Sequence, residues 1–139
     1  MTQDEKKQLV RQYVEQIINR KNLAMMDDLC APTMQWHGGS AGDFNADQLK
    51  AAMRSLYVVF PDIHAEEEAL FAEDDLVATR WTISATHHAP AFGTTPTGKR
   101  LVWMGIDIFR VEAGKIVEEW AGDDTMALMQ QIGALPGPQ

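Results

Sequence analysis

A hairpin dominates the C-terminal half of the sequence. Two long apolar stretches, 100–111 and 115–120, flank the short segment 112–115. The Ala113-Gly114 pair in that segment is typical of a tight turn between strands. Apolar residues continue through both stretches with few breaks, which favours two strands that pair antiparallel across the turn. We expect the rest of the chain to be organised around this pair.

One acid interrupts the first of these strands. Asp107 stands in an otherwise apolar stretch, between Trp103 and Phe109. A carboxyl group that points inward there loses hydration and resists ionisation. A buried acid of this kind either has a partner that satisfies it, for which Arg80 and Tyr13 are the candidates, or takes part in a reaction.

Length and charge narrow the class of protein. The 139 residues predict a single domain over 1–139. The net charge of −8, without any Lys/Arg cluster, argues against nucleic acid and membrane surfaces as partners. A single cysteine, Cys30, cannot form an internal disulfide, and the N-terminal segment 1–8 lacks the apolar run of a secretion signal. A cytoplasmic protein is therefore expected.

Periodicity predicts helices first and strands afterwards. The helices are expected at residues 5–20, at 23–29, from the Asn45 cap to Phe60, and at 125–132 with Asp123 or Asp124 as cap. The strands are expected at residues 33–37, 63–71, 76–88, 100–111 and 115–120. Pro32 is expected to end the second helix, and 38–42 to form a glycine-rich loop. This order predicts an α+β domain, in which a curved antiparallel sheet wraps against three N-terminal helices and a short helix closes the chain.

Five sequence motifs make this order of elements specific. They are FPDIH at 60–64, TPTGKR at 95–100, GIDIFRV at 105–111, GKIVEEW at 114–120 and LMQQIGALP at 128–136. With them the chain resembles the SnoaL-like polyketide cyclases and predicted ester cyclases, which belong to the nuclear-transport-factor-2-like superfamily. The resemblance implies a cone-shaped fold with one deep apolar pocket. It does not fix the chemistry, because that fold carries many functions.

The resemblance to the cyclases also assigns particular positions. In the cyclases that close a ring by an internal aldol reaction, an Asp on the strand after the GKI turn is the general acid/base, and the matching position here is Ala121. A His of those cyclases corresponds to Asp107. Asp123 has the same strand parity as Ala121 and is a candidate to replace the missing acid, although capping the last helix is the alternative role.

Two polar positions resemble the ketosteroid isomerases of the same superfamily. There, a Tyr on the first helix and a protonated Asp in an I-D-x-F-R strand stabilise the enolate oxygen, and Tyr13 and Asp107 match them. The isomerase base lies on the first strand, where His37 is the nearest candidate. Each residue also has a purely structural alternative: Tyr13 as a core tyrosine, and His37 as a loop-edge residue.

Large soft side chains are expected to line the pocket. The candidate substrate-binding residues are Trp36, Met53, Trp81, His87, Phe92, Trp103 and Glu119. Core packing explains most of them equally well, and Glu119 has the alternative of a solvated strand end. Only one of the adjacent His87 and His88 can face a pocket, so no metal is predicted. The loop 89–98, with Phe92 at its centre, is expected to act as a lid or as a dimer contact.

The sequence therefore predicts a protein that binds a hydrophobic carbonyl compound, polyketide- or steroid-like, and catalyses proton transfer on it without a cofactor. Tyr13 and Asp107 are the expected donors and His37 is the leading base. A non-catalytic binding protein is the main alternative. An epoxide hydrolase is the third, and it requires Asp107, Arg80 and Asp123 to converge on one water. The resemblance implies a homodimer.

Overall fold

The structure is a computed structural model that describes residues 1–137. Within them the chain forms an α+β domain of four α-helices and one six-stranded sheet. The α-helices are α1 Gln3–Tyr13, α2 Met26–Leu29, α3 Ala46–Val59 and α4 Thr125–Gln131. The strands are β1 Cys30–His37, β2 Asp43–Asn45, β3 His64–Glu73, β4 Leu76–Thr86, β5 Arg100–Glu112 and β6 Lys115–Asp123. The predicted fold class is confirmed, while the last two residues of the predicted domain lie outside the described part.

The sheet is mixed, so the prediction of an antiparallel sheet needs one correction. Its strand order is β2-β1-β6-β5-β4-β3, and β1 pairs with β6 in parallel. The other neighbouring pairs are antiparallel. Most of the chain lies between β1 and β6, so no tight turn imposes an antiparallel arrangement on this pair. The sheet is curved and does not close into a barrel.

The first helical segment spans 3–19 instead of the predicted 5–20, and it is less regular than periodicity predicts. Thr2 caps α1 by accepting a hydrogen bond from the Glu5 N–H. After α1 the chain continues as a π-helical segment, Val14–Asn19. The Asn19 side chain holds the end of this segment to β3, since its amide donates to the Ala65 carbonyl at 3.2 Å and accepts from the Ala65 N–H at 2.7 Å. The helix face that this segment presents to the sheet is thereby fixed.

Several strand boundaries differ from the prediction: β3 is His64–Glu73 instead of 63–71, and β4 ends at Thr86 instead of residue 88. Pro32 lies inside β1 and does not end a helix; it is tolerated because the β1–β6 register is irregular between Cys30 and Gln35. The short strand β2 was not predicted. Strand β6 continues past Trp120 as far as Asp123, since its ladder with β5 extends to the Gly105–Asp123 pair.

Capping and turn chemistry confirm the predicted starts of α3 and α4 and the turn between β5 and β6. Asn45 and Gln48 form a reciprocal capping box at the start of α3, with both hydrogen bonds at 2.9 Å. Asp124 caps α4 by accepting from the Ala127 N–H at 3.1 Å, which leaves Asp123 free for another role. The β5–β6 turn has positive φ at both Ala113 and Gly114, as a tight hairpin turn of the primed type requires.

The main hydrophobic core lies between the inner face of the sheet and the N-terminal helices. Its fully buried members come from α1, the π-helical segment, β1, α3, β4 and β5, and include Val10, Ile17, Met34, Leu49, Val77 and Phe109. A second cluster around Phe60, Leu101 and Leu128 packs α4 against the end of the sheet. None of the helices in residues 1–137 is long and apolar enough to cross a membrane.

Candidate active site

A cavity of about 110 Å³ lies between the inner face of the sheet and the N-terminal helices. Most of its lining is apolar, and four of its side chains can exchange a proton. The lining residues are Tyr13, Val14, Ile18, Trp36, Met53, Leu56, Ile63, Ala65, Trp81, Ile83, Trp103, Asp107, Phe109, Glu119, Ala121 and Asp123. Carboxyl groups in an apolar cavity lose much of their hydration, which raises their pKa values. This cavity is therefore the candidate active site.

The pairing of β5 with β6 brings the acids together. Side chains on each strand alternate between the two faces, so every second residue points into the cavity. Asp107 lies directly opposite Ala121, and its diagonal neighbours on β6 are Glu119 and Asp123. Diagonal positions across an antiparallel pair are about 7–8 Å apart at the backbone, within reach of long side chains. Three carboxyl groups therefore share one face of the hairpin.

Asp107 occupies the middle of this group. The residue is half-buried, and its Oδ1 accepts a hydrogen bond of 3.3 Å from the Gly122 N–H. Burial raises the pKa of Asp107 to about 7, the negative charge of Asp123 adds to the rise, and the Gly122 hydrogen bond opposes it. Near neutral pH this carboxyl can therefore both accept and release a proton. The candidate partner Arg80 is exposed and is not part of the cavity lining.

Glu119 lies deeper than Asp107. Its residue is only 5% exposed, and within residues 1–137 its Oε1 has no hydrogen-bond partner. Burial raises the pKa of Glu119 well above its usual value, and the charge of Asp107 raises it further. Glu119 consequently keeps its proton to a higher pH than an exposed glutamate does. The sequence left open that Glu119 is a solvated residue at the end of a strand. That description applies instead to its neighbour Glu118, which forms hydrogen bonds with His37 and Arg110.

Tyr13 closes the same end of the cavity. Its ring meets Phe109 edge to face at a centroid distance of 5.7 Å, and the residue is 3% exposed. Burial raises the pKa of Tyr13 well above 10, and the proximity of Glu119 contributes to the shift. Tyr13 thus remains a neutral donor. The cavity therefore contains two groups, Tyr13 and Glu119, whose protonated forms can donate hydrogen bonds from one side.

Asp123 stands at the mouth of the cavity. The residue is exposed, while its carboxyl lines the cavity and accepts a 3.1 Å hydrogen bond from the Trp103 indole N–H. Burial of the carboxyl raises the pKa of Asp123, and the Trp103 hydrogen bond opposes this rise. Opposite it, Gly105 provides the space: a Cβ there would lie 2.9 Å from the Asp123 Oδ1.

Three of the predicted site residues lie outside the cavity lining. His37 points the other way from its neighbour Trp36 and bridges two carboxylates, at 2.9 Å to Asp43 and 2.6 Å to Glu118. Those two hydrogen bonds, the Asp43 bond first, raise the pKa of His37. Phe92, at a positive φ, is half exposed in the loop after β4.

His87 is fully buried in the second cluster. Its Nδ1 accepts a hydrogen bond from the Thr97 N–H at 3.2 Å, and its ring packs against Phe60. This contact anchors the loop that follows β4. Like His37 and Phe92, His87 is therefore separated from the acids on β5 and β6.

The other predicted residues meet in the cavity. Tyr13, Asp107, Asp123 and the predicted ligand contacts Trp36, Met53, Trp81, Trp103 and Glu119 all line it. Sequence reasoning missed the aliphatic part of the lining and one aromatic residue, namely Val14, Ile18, Leu56, Ile63, Ala65, Ile83 and Phe109. For Phe109 the signal was available, because it shares strand parity with Asp107. Arginine, lysine and histidine are absent from the described lining. The described lining therefore contains four side chains that can exchange a proton and no positively charged side chain.

The fold and the cavity together define the class: an α+β protein of the nuclear-transport-factor-2-like type with an acid-lined, mostly apolar interior. The sequence profile of the SnoaL-like polyketide cyclases matches residues 7–132, and the chain belongs to that family. The resemblance inferred from the sequence motifs is thereby confirmed. A comparison with curated proteins gives no significant match.

Solved structures share this fold over nearly the whole chain. AclR from Streptomyces galilaeus, a suggested hydroxylase, is 28% identical, with a TM-score of 0.89 over 99% of this chain and 87% of AclR. IdmH from Streptomyces antibioticus, a suggested polyketide cyclase, is 26% identical, with a TM-score of 0.84 over 92% of this chain and 98% of IdmH. A SnoaL-like protein from Jannaschia sp. CCS1 is 18% identical with a TM-score of 0.87, over 96% of this chain and 95% of its own, and shows the fold alone.

Proposed function

We propose that this protein binds an apolar carbonyl compound of the polyketide type and catalyses proton transfer on it without a cofactor, as in isomerisation or aldol cyclisation. One observation carries the proposal: Tyr13, Asp107 and Glu119 line the same apolar cavity. Membership of the SnoaL-like polyketide cyclases supports a cyclase- or isomerase-type reaction. The mostly apolar lining favours a hydrophobic ligand.

In this proposal Asp107 is the general base. Removing a proton beside a carbonyl creates an enolate, and the base needs a pKa near the working pH. Asp107, with a pKa raised to about 7 by burial, meets that requirement. His37, the base expected from the sequence, is replaced in this role because it lies outside the cavity lining. Asp123 at the mouth is placed to receive the proton from Asp107 or to return it to solvent.

Tyr13 and neutral Glu119 are the proposed donors to the enolate oxygen. Preorganised donors in a site without water stabilise developing negative charge far better than donors in solution. Burial favours the protonated, donating form of both groups because it raises each pKa. This assignment replaces Asp107 by Glu119 in the donor pair, which frees Asp107 to act as the base.

Hydrogen–deuterium exchange tests the mechanism directly. The probe is 4-ethylacetophenone in D₂O, whose enolisable methyl hydrogens exchange slowly without a catalyst and are followed by proton NMR. We expect the native protein to accelerate exchange, and Asp107→Asn to slow it by about 100-fold or more, as loss of a general base does. Glu119→Gln is compared with Glu118→Gln, because Glu118 is the adjacent acid on the outer face. Equal rates for native protein and Asp107→Asn would remove Asp107 from the mechanism.

A non-catalytic binding protein is the second candidate, and Ala121 is the observation that favours it. The acid/base of the aldol cyclases corresponds to this position, and Ala121 lies directly opposite Asp107 in the cavity. This alternative predicts that 4-ethylacetophenone binds without any acceleration of exchange. Calorimetric titration of the same probe distinguishes the two outcomes, since the enzyme requires both binding and exchange.

We also propose that the outer face of β5 pairs two copies of the chain. Val102, Met104, Ile106 and Ile108 form an apolar row there, and each is between 39% and 49% exposed. A continuous apolar row of this kind on a soluble protein is typical of an interface. A charge at its centre, Ile106→Lys, is expected to give a monomer by sedimentation while the circular dichroism stays native. A native protein that is monomeric at 100 μM contradicts the pairing.

A further inference from the structure

The indole N–H of Trp81 is buried in the cavity without a partner. Trp81 lies on β4, is 5% exposed and lines the cavity, and within residues 1–137 its Nε1 has neither a hydrogen bond nor contact with solvent. Trp103 in the same cavity donates its indole N–H to Asp123 at 3.1 Å. Buried tryptophan N–H groups nearly always have an acceptor, so the two indoles differ in a way that requires explanation.

Core packing alone does not explain Trp81. A phenylalanine or leucine would fill apolar space without stranding a donor, and an unsatisfied buried donor lowers stability. Trp81 also borders a polar surface groove beside the π-helical segment, whose lining includes Glu15, Asn19 and Glu67. The acceptors of that groove are not bonded to it, since the Nε1 has no partner among the described residues. A water molecule or a ligand oxygen in the cavity can supply the acceptor, and the mostly apolar lining favours a ligand.

The position of Trp81 relative to the proposed donors sets the ligand geometry. Trp81 pairs across the sheet with Gly105, while Glu119 pairs with Phe109. Gly105 and Phe109 are four residues apart on β5, which corresponds to about 13 Å along the strand. Asp107 lies between these two rows. The cavity therefore has one polar end at Tyr13 and Glu119, a second at Trp81 and Asp123, and the proposed base in the middle.

From this arrangement we infer that Trp81 is a specificity-determining residue that donates its indole N–H to a second oxygen of the ligand. The inference rests on the proposed function for the first oxygen, the reacting carbonyl held by Tyr13 and Glu119. The ligand class is accordingly an apolar compound with two oxygen acceptors at opposite ends, such as a diketone. A compound with one carbonyl fills the same space and leaves the Trp81 N–H without an acceptor.

A matched pair of ligands tests this inference. The probes are 1,4-diacetylbenzene and 4-ethylacetophenone, which have nearly the same shape and differ by the second carbonyl oxygen. By calorimetric titration the native protein is expected to bind the diketone about tenfold more tightly, of which a factor of two is statistical because the diketone is symmetric. In Trp81→Phe the preference is expected to fall to about twofold. Trp120→Phe, the control that trims a tryptophan outside the cavity lining, keeps the tenfold preference.

The indole resonances of the native protein provide an independent readout that needs no folded variant. In a proton–nitrogen correlation spectrum, the Trp81 Nε1–H signal is expected to move downfield with 1,4-diacetylbenzene and to stay nearly unchanged with 4-ethylacetophenone. Equal affinity of the native protein for both probes, or an unmoved Trp81 signal, overturns the inference, and so does failure to bind either probe.

The outcomes separate this inference from the proposed function. Deuterium exchange on 4-ethylacetophenone without a preference for the diketone removes the role of Trp81 and leaves the proton-transfer function standing. If the protein prefers the diketone through Trp81 but does not accelerate deuterium exchange, the role of Trp81 is supported and the proposed catalytic function is ruled out.

Discussion

The two faces of β5 differ in a way that reverses the usual expectation for a sheet. The inner face carries Trp103, Gly105, Asp107 and Phe109, so it includes an acid and a residue without a side chain. The outer face of the same strand carries an uninterrupted apolar row, Val102, Met104, Ile106 and Ile108, that is exposed in the single chain. The face that packs on the core is therefore the less uniformly apolar of the two.

This difference indicates two separate uses of hydrophobic residues. On the inner face, apolar side chains surround a few polar groups and lower the local dielectric, which shifts the pKa values of Asp107 and Glu119 upward. On the outer face, the apolar row of β5 from Val102 to Ile108 forms a surface that contains no titratable side chain. One strand thus contributes the interior of a site on one side and a candidate contact surface on the other.

The largest expected effect is on stability, and it compares adjacent residues on the two faces. Phe109 is fully buried beneath Tyr13, whereas Ile108 is 39% exposed. Phe109→Ala is expected to lower the free energy of unfolding by about 3–5 kcal/mol because it leaves a cavity in the core. Ile108→Ala is expected to cost less than about 1 kcal/mol in a monomer. Urea denaturation at low protein concentration measures both, and similar losses would contradict the assignment of inner and outer faces.

The second effect is on the pH dependence of stability. Burial raises the pKa of Asp107 to about 7, so the native state holds a proton that the unfolded state has released. Stability is therefore expected to fall as pH rises from about 4 to 7, by roughly 2–4 kcal/mol for this group. Glu119 and Asp123, whose pKa values are also raised, act in the same direction. Because these two acids remain, Asp107→Asn is expected to reduce the dependence of stability on pH without abolishing it.

On the outer face the relevant group is His37, whose pKa is raised chiefly by its hydrogen bond to Asp43. Its stabilising contribution is complete below about pH 6.5 and is lost as pH rises through the folded-state value. Urea denaturation between pH 4.5 and 9 separates the two windows: Asp107→Asn changes the slope mainly below pH 7, and His37→Gln changes it above pH 6.5. A native profile whose stability rises with pH across this range contradicts both assignments.

The smallest effect concerns Gly105, the inner-face position without a side chain. A Cβ there would lie 2.9 Å from the Asp123 Oδ1 and 3.0 Å from the Ile83 Cδ1. Gly105→Ala is therefore expected to destabilise the fold by about 1 kcal/mol, through a shift of the Asp123 carboxyl away from Trp103. In an Asp123→Ala background the same substitution is expected to cost less. Additive losses in the double variant, measured by denaturation, rule out this contact.

Much of the fold was predictable because it depends on local signals. The helix stripe near Tyr13, the Asn45 cap and the Ala113-Gly114 turn each correspond to an element boundary within a few residues. The parallel pairing of β1 with β6 was not predictable in this way. It joins residues about 80 positions apart, such as Trp36 and Glu119, and no local signal specifies such a contact.

The site residues were predictable only where the alternation of side chains along a strand determines which face each residue occupies. Asp107 and Asp123 share a face with Phe109, and the sequence pattern gives this once β6 is known to extend to Asp123. His37 differs by one position from Trp36, and a one-residue step on a strand exchanges the cavity for the outer surface. The burial of Glu119, next to the solvated Glu118, depends on helices that pack over β6 from distant parts of the chain.

The order of acids on the hairpin has one more consequence. Glu119 is buried, Asp107 is half-buried and Asp123 is an exposed residue whose carboxyl lines the cavity, so the exposure of these three residues increases from the inner end to the mouth. Under the proposed function, a hydrogen taken from a bound molecule passes to bulk water along this row of acids while the molecule itself stays in place. Deuterium from the solvent enters along the same row, so several hydrogens of one bound molecule are expected to exchange before it leaves.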